Sequence, residues 1–238
     1  MSLIVPAVLP SSLEDLKEKL ALFAKLPAVS RVQIDVVDGK FASPASWPYT
    51  APAQLRAMAQ RGEMLPSVDT IAYEVDLMCL DADRAPEDWI AIGASRFTLH
   101  AESAIDLTRL VETACKRYGS DFLSCELITI GLALNIASDL ALIEPFLDRI
   151  GYVQFMGIAK IGRQGQLFDR RALEKVRLFR SRHPDIPVQV DGGISLEVAR
   201  ELVALGVSSL VVGSAILRAA NPAVEITKFE ALKSPFGV

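Results

Sequence analysis

Short runs rich in apolar residues alternate with longer amphipathic ones along the chain. The short runs are Leu3–Leu9, Arg31–Asp35, Tyr73–Cys79, Arg96–His100, Ile128–Leu134, Tyr152–Ile158, Pro187–Asp191 and Ser209–Val212. Between most of them lie stretches with helical spacing. Ser11-Ser-Leu-Glu14 reads as a capping box, after which Leu13, Leu16, Leu20 and Phe23 recur on one face. Asp106–Tyr118, Asp139–Leu147, Arg170–Arg182, Ser195–Leu205 and Ala223–Leu232 read the same way. Strands that alternate with helices pair in parallel, because parallel neighbours need a crossover element. Eight such runs in 238 residues predict one closed (β/α)8 TIM barrel spanning residues 1–238, close to the roughly 250 residues usual for that fold. The connection from Phe41 to Leu65 is irregular: Pro44, Pro48 and Pro52 surround Trp47 and Tyr49. It is either a loop packed by its own aromatics or one that covers the site.

Composition narrows the class of function. At 51% hydrophobic residues and a formal charge of −4, the chain can bury a large core and carries no general basic face. Nucleic acid and anionic membrane surfaces are therefore not expected partners, while a small anionic ligand held locally by backbone amides is compatible with this charge. Cys79, Cys115 and Cys125 form no C-x-x-C pair, which suits a reduced cytoplasmic protein. The apolar start lacks a basic region and runs directly into Glu14 and Asp15, unlike a signal peptide. The most apolar window, Leu127 to Phe146, is broken by Asn135, Asp139 and Glu144. A homo-oligomer is compatible with all of this.

Several strand-like runs end in polar residues that packing alone does not require. Gln33 and Asp35 share one face of the second run. Asp76 interrupts the third, the fourth ends His100-Ala-Glu102, and the seventh ends Asp191-Gly-Gly193. Each alone would pass for a turn or cap residue. Together they suggest a polar rim at the end of a barrel where active sites are built. Gly192 and Gly193 after the seventh run, with Gly213 and Ser214 after the eighth, fit a phosphate seat, since glycine lets backbone amides approach an anion closely.

The ordered motifs Ile34-Asp-Val-Val-Asp-Gly-Lys-Phe41, Val75-Asp-Leu-Met78, Phe97-Thr-Leu-His-Ala-Glu102, Gly131-Leu-Ala-Leu-Asn135, Val190-Asp-Gly-Gly-Ile194 and Val212-Gly-Ser-Ala215 resemble the ribulose-phosphate 3-epimerase family. The resemblance covers nearly the whole chain. It implies epimerisation of a small phosphorylated sugar, with the family's acid/base aspartates falling on Asp35 and Asp191. One carboxyl removes the proton beside the ketone, and the other returns a proton to the opposite face. The family also holds a metal on these aspartates and two histidines. Gln33 and Asp76 stand at the histidine positions, so a zinc site of the family type is not expected.

Three readings follow for the metal. Gln33, Asp35, Asp76 and Asp191 form an all-oxygen set better suited to Mg²⁺ or Mn²⁺ than to Zn²⁺. Alternatively no metal binds and crowding keeps Asp76 protonated. In the third reading catalysis is lost and the chain only binds a sugar phosphate. Further departures surround the site: Ala7 and Val37 replace a serine and a methionine of the family. The loop Met156–Phe168 keeps Met156, Gly165, Gln166 and Phe168, lacks the family's Pro-Gly-Phe, and gains Lys160 and Arg163 beside Gly162. Those charges are either solvated lid residues or contacts for an additional acidic group on a different substrate. His100 and Glu102 match a family motif and are expected, with Met156, to support the site from behind. Asn135 is expected to be a turn or helix-cap residue first and a site contact second. A barrel lyase or decarboxylase is a weaker alternative, because Val36-Val37 offers no Lys between the aspartates.

Overall fold

The computed structural model describes residues 2–118 and 128–233, so Cys125 lies outside the described residues. Eight parallel strands close into a barrel in chain order: β1 (Ile4–Val8), β2 (Arg31–Val37), β3 (Ala72–Met78), β4 (Ala94–His100), β5 (Thr129–Leu134), β6 (Tyr152–Met156), β7 (Val188–Asp191) and β8 (Ser209–Val212), with β8 paired back to β1. The helices are α1 (Leu13–Phe23), α2 (Pro52–Arg61), α3 (Pro86–Ala91), α4 (Leu107–Tyr118), α5 (Arg171–Arg182), α6 (Leu196–Ala204), α7 (Ser214–Leu217) and α8 (Pro222–Glu230). The predicted TIM barrel is the observed fold.

Local chemistry explains where the elements differ from expectation. The capping box is shifted by one residue. Ser12 is the N-cap and accepts from the Asp15 amide, while Asp15 reaches back to the Ser11 amide at 2.8 Å. Asp139–Leu147 forms two 3-10 turns, Leu140–Leu142 and Glu144–Phe146, instead of one helix. Pro145 lacks an amide hydrogen and would break an α-helix there, whereas it fits the start of the second turn. Strand β6 stops at Met156, where the Gly157 amide donates to the Asp191 carbonyl and the chain turns over β7. The irregular Phe41–Leu65 connection holds α2 in its second half, with Pro52 in the first turn. Trp47 is fully buried edge-on to Trp89, with ring centroids 5.6 Å apart, and its Nε1 donates to Gln54. That part of the connection is held by its own Trp47, packed against Trp89 of α3.

Strand alternation separates two interiors. Outward-facing residues such as Ile34, Val36, Val75, Leu77, Phe97, Leu99, Val153, Phe155, Val188 and Val190 join the helices in one large apolar core. Inside the barrel the apolar clusters are small: Val5, Ala7 and Val211 in one, Val37, Ala42 and Met78 in another. Most of the lumen is instead polar and fully buried, with Gln33, Glu74, Asp76, Thr98, His100, Gln154 and Gln189. The helix–sheet core stabilises the fold through burial, at roughly 25 cal/mol per Å² of apolar surface. The lumen must be satisfied by hydrogen bonds, since a buried polar group without a partner is costly.

Candidate active site

Strand register sets the site. Asp35 on β2 pairs with Asp76 on β3, and Met156 on β6 pairs with Asp191 on β7, so these side chains enter the lumen near its C-terminal end. Barrel closure brings β7 round to β2. Oxygens of Asp35, Asp76 and Asp191 lie within 4.8 Å of one another, and all three residues are buried. Among the described residues this is the only such group of potential metal ligands.

Gln33 organises the cluster. Its Nε2 donates to Asp35 Oδ1 at 2.9 Å and to Asp191 Oδ2 at 3.1 Å. Its Oε1 points away and accepts from Gln189 at 3.2 Å. The Gln33 amide therefore offers the carboxylates hydrogen rather than oxygen. Asp76 is held from two sides, by His100 Nε2 at 2.9 Å and by Gln154 Nε2 at 3.0 Å. Gln189 in turn donates to Gln154 Oε1 at 2.8 Å and to Glu74. A ladder of glutamines thus runs beneath the acids and orients their amides.

Electrostatics follow from this enclosure. Burial, and then the Asp76 charge, push Asp35 up to about 7, although Gln33 and Gln164 stabilise its charged form. Asp191 is raised well above the ordinary carboxylate range by burial, then by the charges of Asp35 and Asp76. For His100 burial opposes charge, yet Asp76, with Glu102 and Asp35, raises its pKa overall. The site can therefore carry both a protonated and an ionised carboxyl near neutral pH.

A cleft opens above the acids. Asp35, Asp191, Gly192, Gly193, Gly213 and Ser214 line it, together with Gly162, Arg163 and Gly165 of the loop after β6. Gly192 and Gly193 have φ of +106° and +70°, a backbone region where side chains are strained. A Cβ on Gly193 would also lie 2.6 Å from the Phe168 amide nitrogen. This glycine pair lets the loop after β6 pack directly on the end of β7.

Most of the residues expected from sequence converge here. His100 supports Asp76, and Met156 Sδ lies 3.5 Å from the Gln154 amide. Glu102 stands farther off: its Oε1 accepts from the Asn135 amide and Ser138 hydroxyl, clamping the turn after β5. Lys160 is exposed, and its backbone carbonyl accepts from Gln166. Sequence reasoning missed Gln154, Gln189, Glu74 and Gln164. The first two occupy the same strand phase as Met156 and Asp191, which was the available signal. Gln164 carries no such periodic signal, because it lies in a loop.

The family model for the ribulose-phosphate 3-epimerase family matches residues 3–217. A ribulose-phosphate 3-epimerase of Schizosaccharomyces pombe is 24% identical over 219 residues, covering 92% of this chain and 88% of that protein. One from Escherichia coli K12 is 28% identical over 222 residues, covering 90% and 88%. A crystal structure of 3-hexulose-6-phosphate synthase shares the fold at a TM-score of 0.66 and 16% identity, covering 98% of this chain and 100% of that one. So does the crystal structure of KGPDC from Streptococcus mutans, at a TM-score of 0.67 and 16% identity, covering 98% and 97%. With a matching barrel, the motifs on the expected strands and a family match spanning β1 to α7, this chain belongs to the ribulose-phosphate 3-epimerase family.

Proposed function

We propose that this protein is a sugar-phosphate epimerase that inverts the carbon beside a ketone, with Asp35 and Asp191 as its acid/base pair. The observation that carries this reading is the meeting of those two buried carboxyls on one Gln33 amide at the floor of the cleft. The ionised partner removes the proton and leaves a planar enediolate. The protonated partner delivers its proton to the other face, so protons balance over the cycle. Gly192, Gly193, Gly213 and Ser214 are the proposed phosphate seat, and the loop bearing Lys160, Gly162, Arg163 and Gly165 the proposed lid.

The donor set fits a hard divalent cation through carboxylate oxygen. Asp35, Asp76 and Asp191 would hold it, in keeping with Mg²⁺ or Mn²⁺ over Zn²⁺. Gln33 stays outside that set as placed, because its nitrogen faces the acids. A bound cation would supply positive charge to the developing oxyanion. Chelated protein should therefore melt higher at pH 7 when Mn²⁺ is added, by an amount that follows mass action. Asp76→Asn should remove most of that gain. An unchanged melting temperature at millimolar Mn²⁺ would speak against the cation.

Incubation with D-ribulose 5-phosphate and related ketose phosphates in D2O tests the function. Deuterium should enter the carbon beside the ketone, and the epimer should accumulate. Ligand-induced stabilisation without any exchange would instead make the chain a non-catalytic sugar-phosphate-binding paralogue. No helix among the described residues is long and apolar enough to cross a membrane. We place the reaction in the cytoplasm, on a small phosphorylated sugar.

A further inference from the structure

We propose that the preferred substrate is a ketose phosphate carrying a second anionic group at the end opposite its phosphate, read by Arg163. This rests on the epimerase reading above and names its substrate class.

The loop after β6 bridges the cleft mouth, and its two sides can be located. On the β2 side, a Cβ on Gly162 would sit 3.1 Å from Ala42 and 3.3 Å from Val37. Next to it, Arg163 Nε donates to the Ser43 carbonyl at 3.0 Å, which anchors the guanidinium beside the loop that follows β2. On the β8 side, a Cβ on Gly165 would lie 3.1 Å from the Arg218 guanidinium, just past α7. The proposed phosphate seat, Gly192–Gly193 with Gly213–Ser214, also belongs to the β7–β8 side. A substrate with its phosphate there and its reacting carbon over Asp35 and Asp191 would extend its other end toward Arg163.

Two features of that far end call for an anion. Arg163 lines the cleft and pairs with no carboxylate among the described residues, although Nε is fixed. The wall on the β2 side is apolar, with Met78 lining the cleft and Val37 and Ala42 packed against it, so an uncharged hydroxymethyl group there would gain no charge-assisted contact, whereas an anion would meet the exposed guanidinium. A planar guanidinium suits either a carboxylate or a phosphate.

The test compares D-ribulose 5-phosphate with D-ribulose 1,5-bisphosphate and 2-ketogluconate 6-phosphate. The last two place a phosphate and a carboxylate, respectively, at the far end. Both proton exchange in D2O and binding by calorimetry are read. At least one doubly anionic compound should bind roughly 10- to 100-fold more tightly than ribulose 5-phosphate, the range expected for a hydrogen bond to a charged group. Arg163→Ala should collapse that ratio to near one, and Arg163→Lys should keep part of it. Which compound shows the preference identifies the group as phosphate or carboxylate. Equal or weaker binding of both, or a preference untouched by Arg163→Ala, would overturn the proposal. Because binding is read separately, loss of exchange with every compound would defeat the epimerase reading while leaving the selectivity of Arg163 measurable.

Discussion

Replacing Asp35 or Asp191 with Asn should lower solvent exchange at the reacting carbon by about 10²- to 10⁴-fold, the usual contribution of a positioned acid or base. The same substitutions should make the protein more stable above neutral pH. Both carboxyls bind their protons more tightly in the folded chain than in the unfolded one, because burial and neighbouring acids oppose their charge. Folded protein therefore carries more protons between the ordinary carboxylate range and about 7, and stability falls as pH rises through that interval. Asn has no charge to lose. The gain in melting temperature of Asp35→Asn over the parent should be small near pH 4 and grow up to about pH 8. A gain that is flat with pH, or activity within threefold of the parent, would contradict the assigned roles. Calorimetric melts and exchange rates on the same samples suffice.

The second large effect concerns the opposite layer of the lumen. Glu74 is fully buried and accepts from Arg96 Nε at 3.2 Å and from Thr98 at 3.2 Å. Arg31 Nε stands 3.9 Å from the same carboxylate, and Gln189 donates to its other oxygen. Arg96 also lies over the Tyr152 ring, 4.3 Å from its centroid. Glu74→Ala would leave two largely buried guanidinium groups without their counter-charge. Removing one partner of a buried pair typically costs about 3–5 kcal/mol, far more than the net value of the pair. We expect a loss of that size in urea unfolding, and a smaller one for Glu74→Gln, which keeps the acceptor for Thr98. Exchange activity should also fall, because Gln189 would lose one anchor of the amide ladder beneath Gln33. A change below about 1 kcal/mol would mean that water or side-chain rearrangement replaces the carboxylate.

The two predictions concern linked parts of one network. Arg31, Arg96 and Glu74 fix Gln189. Gln189 fixes Gln33 and Gln154, and these set the hydrogen bonds to Asp35, Asp191 and Asp76. A barrel with an apolar lumen would offer the acids no such orientation. The polar lumen gives the site its geometry; within it only His100 Nδ1 and Gln189 Oε1 are buried without a hydrogen-bond partner among the described residues.

Much of this could be read in the chain itself. Alternation of short apolar runs with amphipathic ones predicted the barrel, because parallel strands require crossovers and eight of them fill this length. Asp35 and Asp191 stood out as charges on strands otherwise suited to burial. Periodicity within one strand says which face a residue takes, but not which residue it meets across a closed sheet. Gln33 therefore read as an oxygen ligand, whereas barrel closure turns its nitrogen toward two acids 158 residues and two residues away in sequence. Gln154 and Gln189 carry no signal of partnership along the chain; strand register alone stacks them under the site. Proline defeated the expected helix at Asp139–Leu147, a local effect that periodicity does not weigh. Sequence patterning thus determined the fold and marked Asp35, Asp76 and Asp191 as polar residues on strands, through forces acting along each segment. Closure of the sheet decided which amides face those acids and where Arg163 lies relative to the glycine-bearing ends of β7 and β8, since those contacts join strands and loops far apart in the chain.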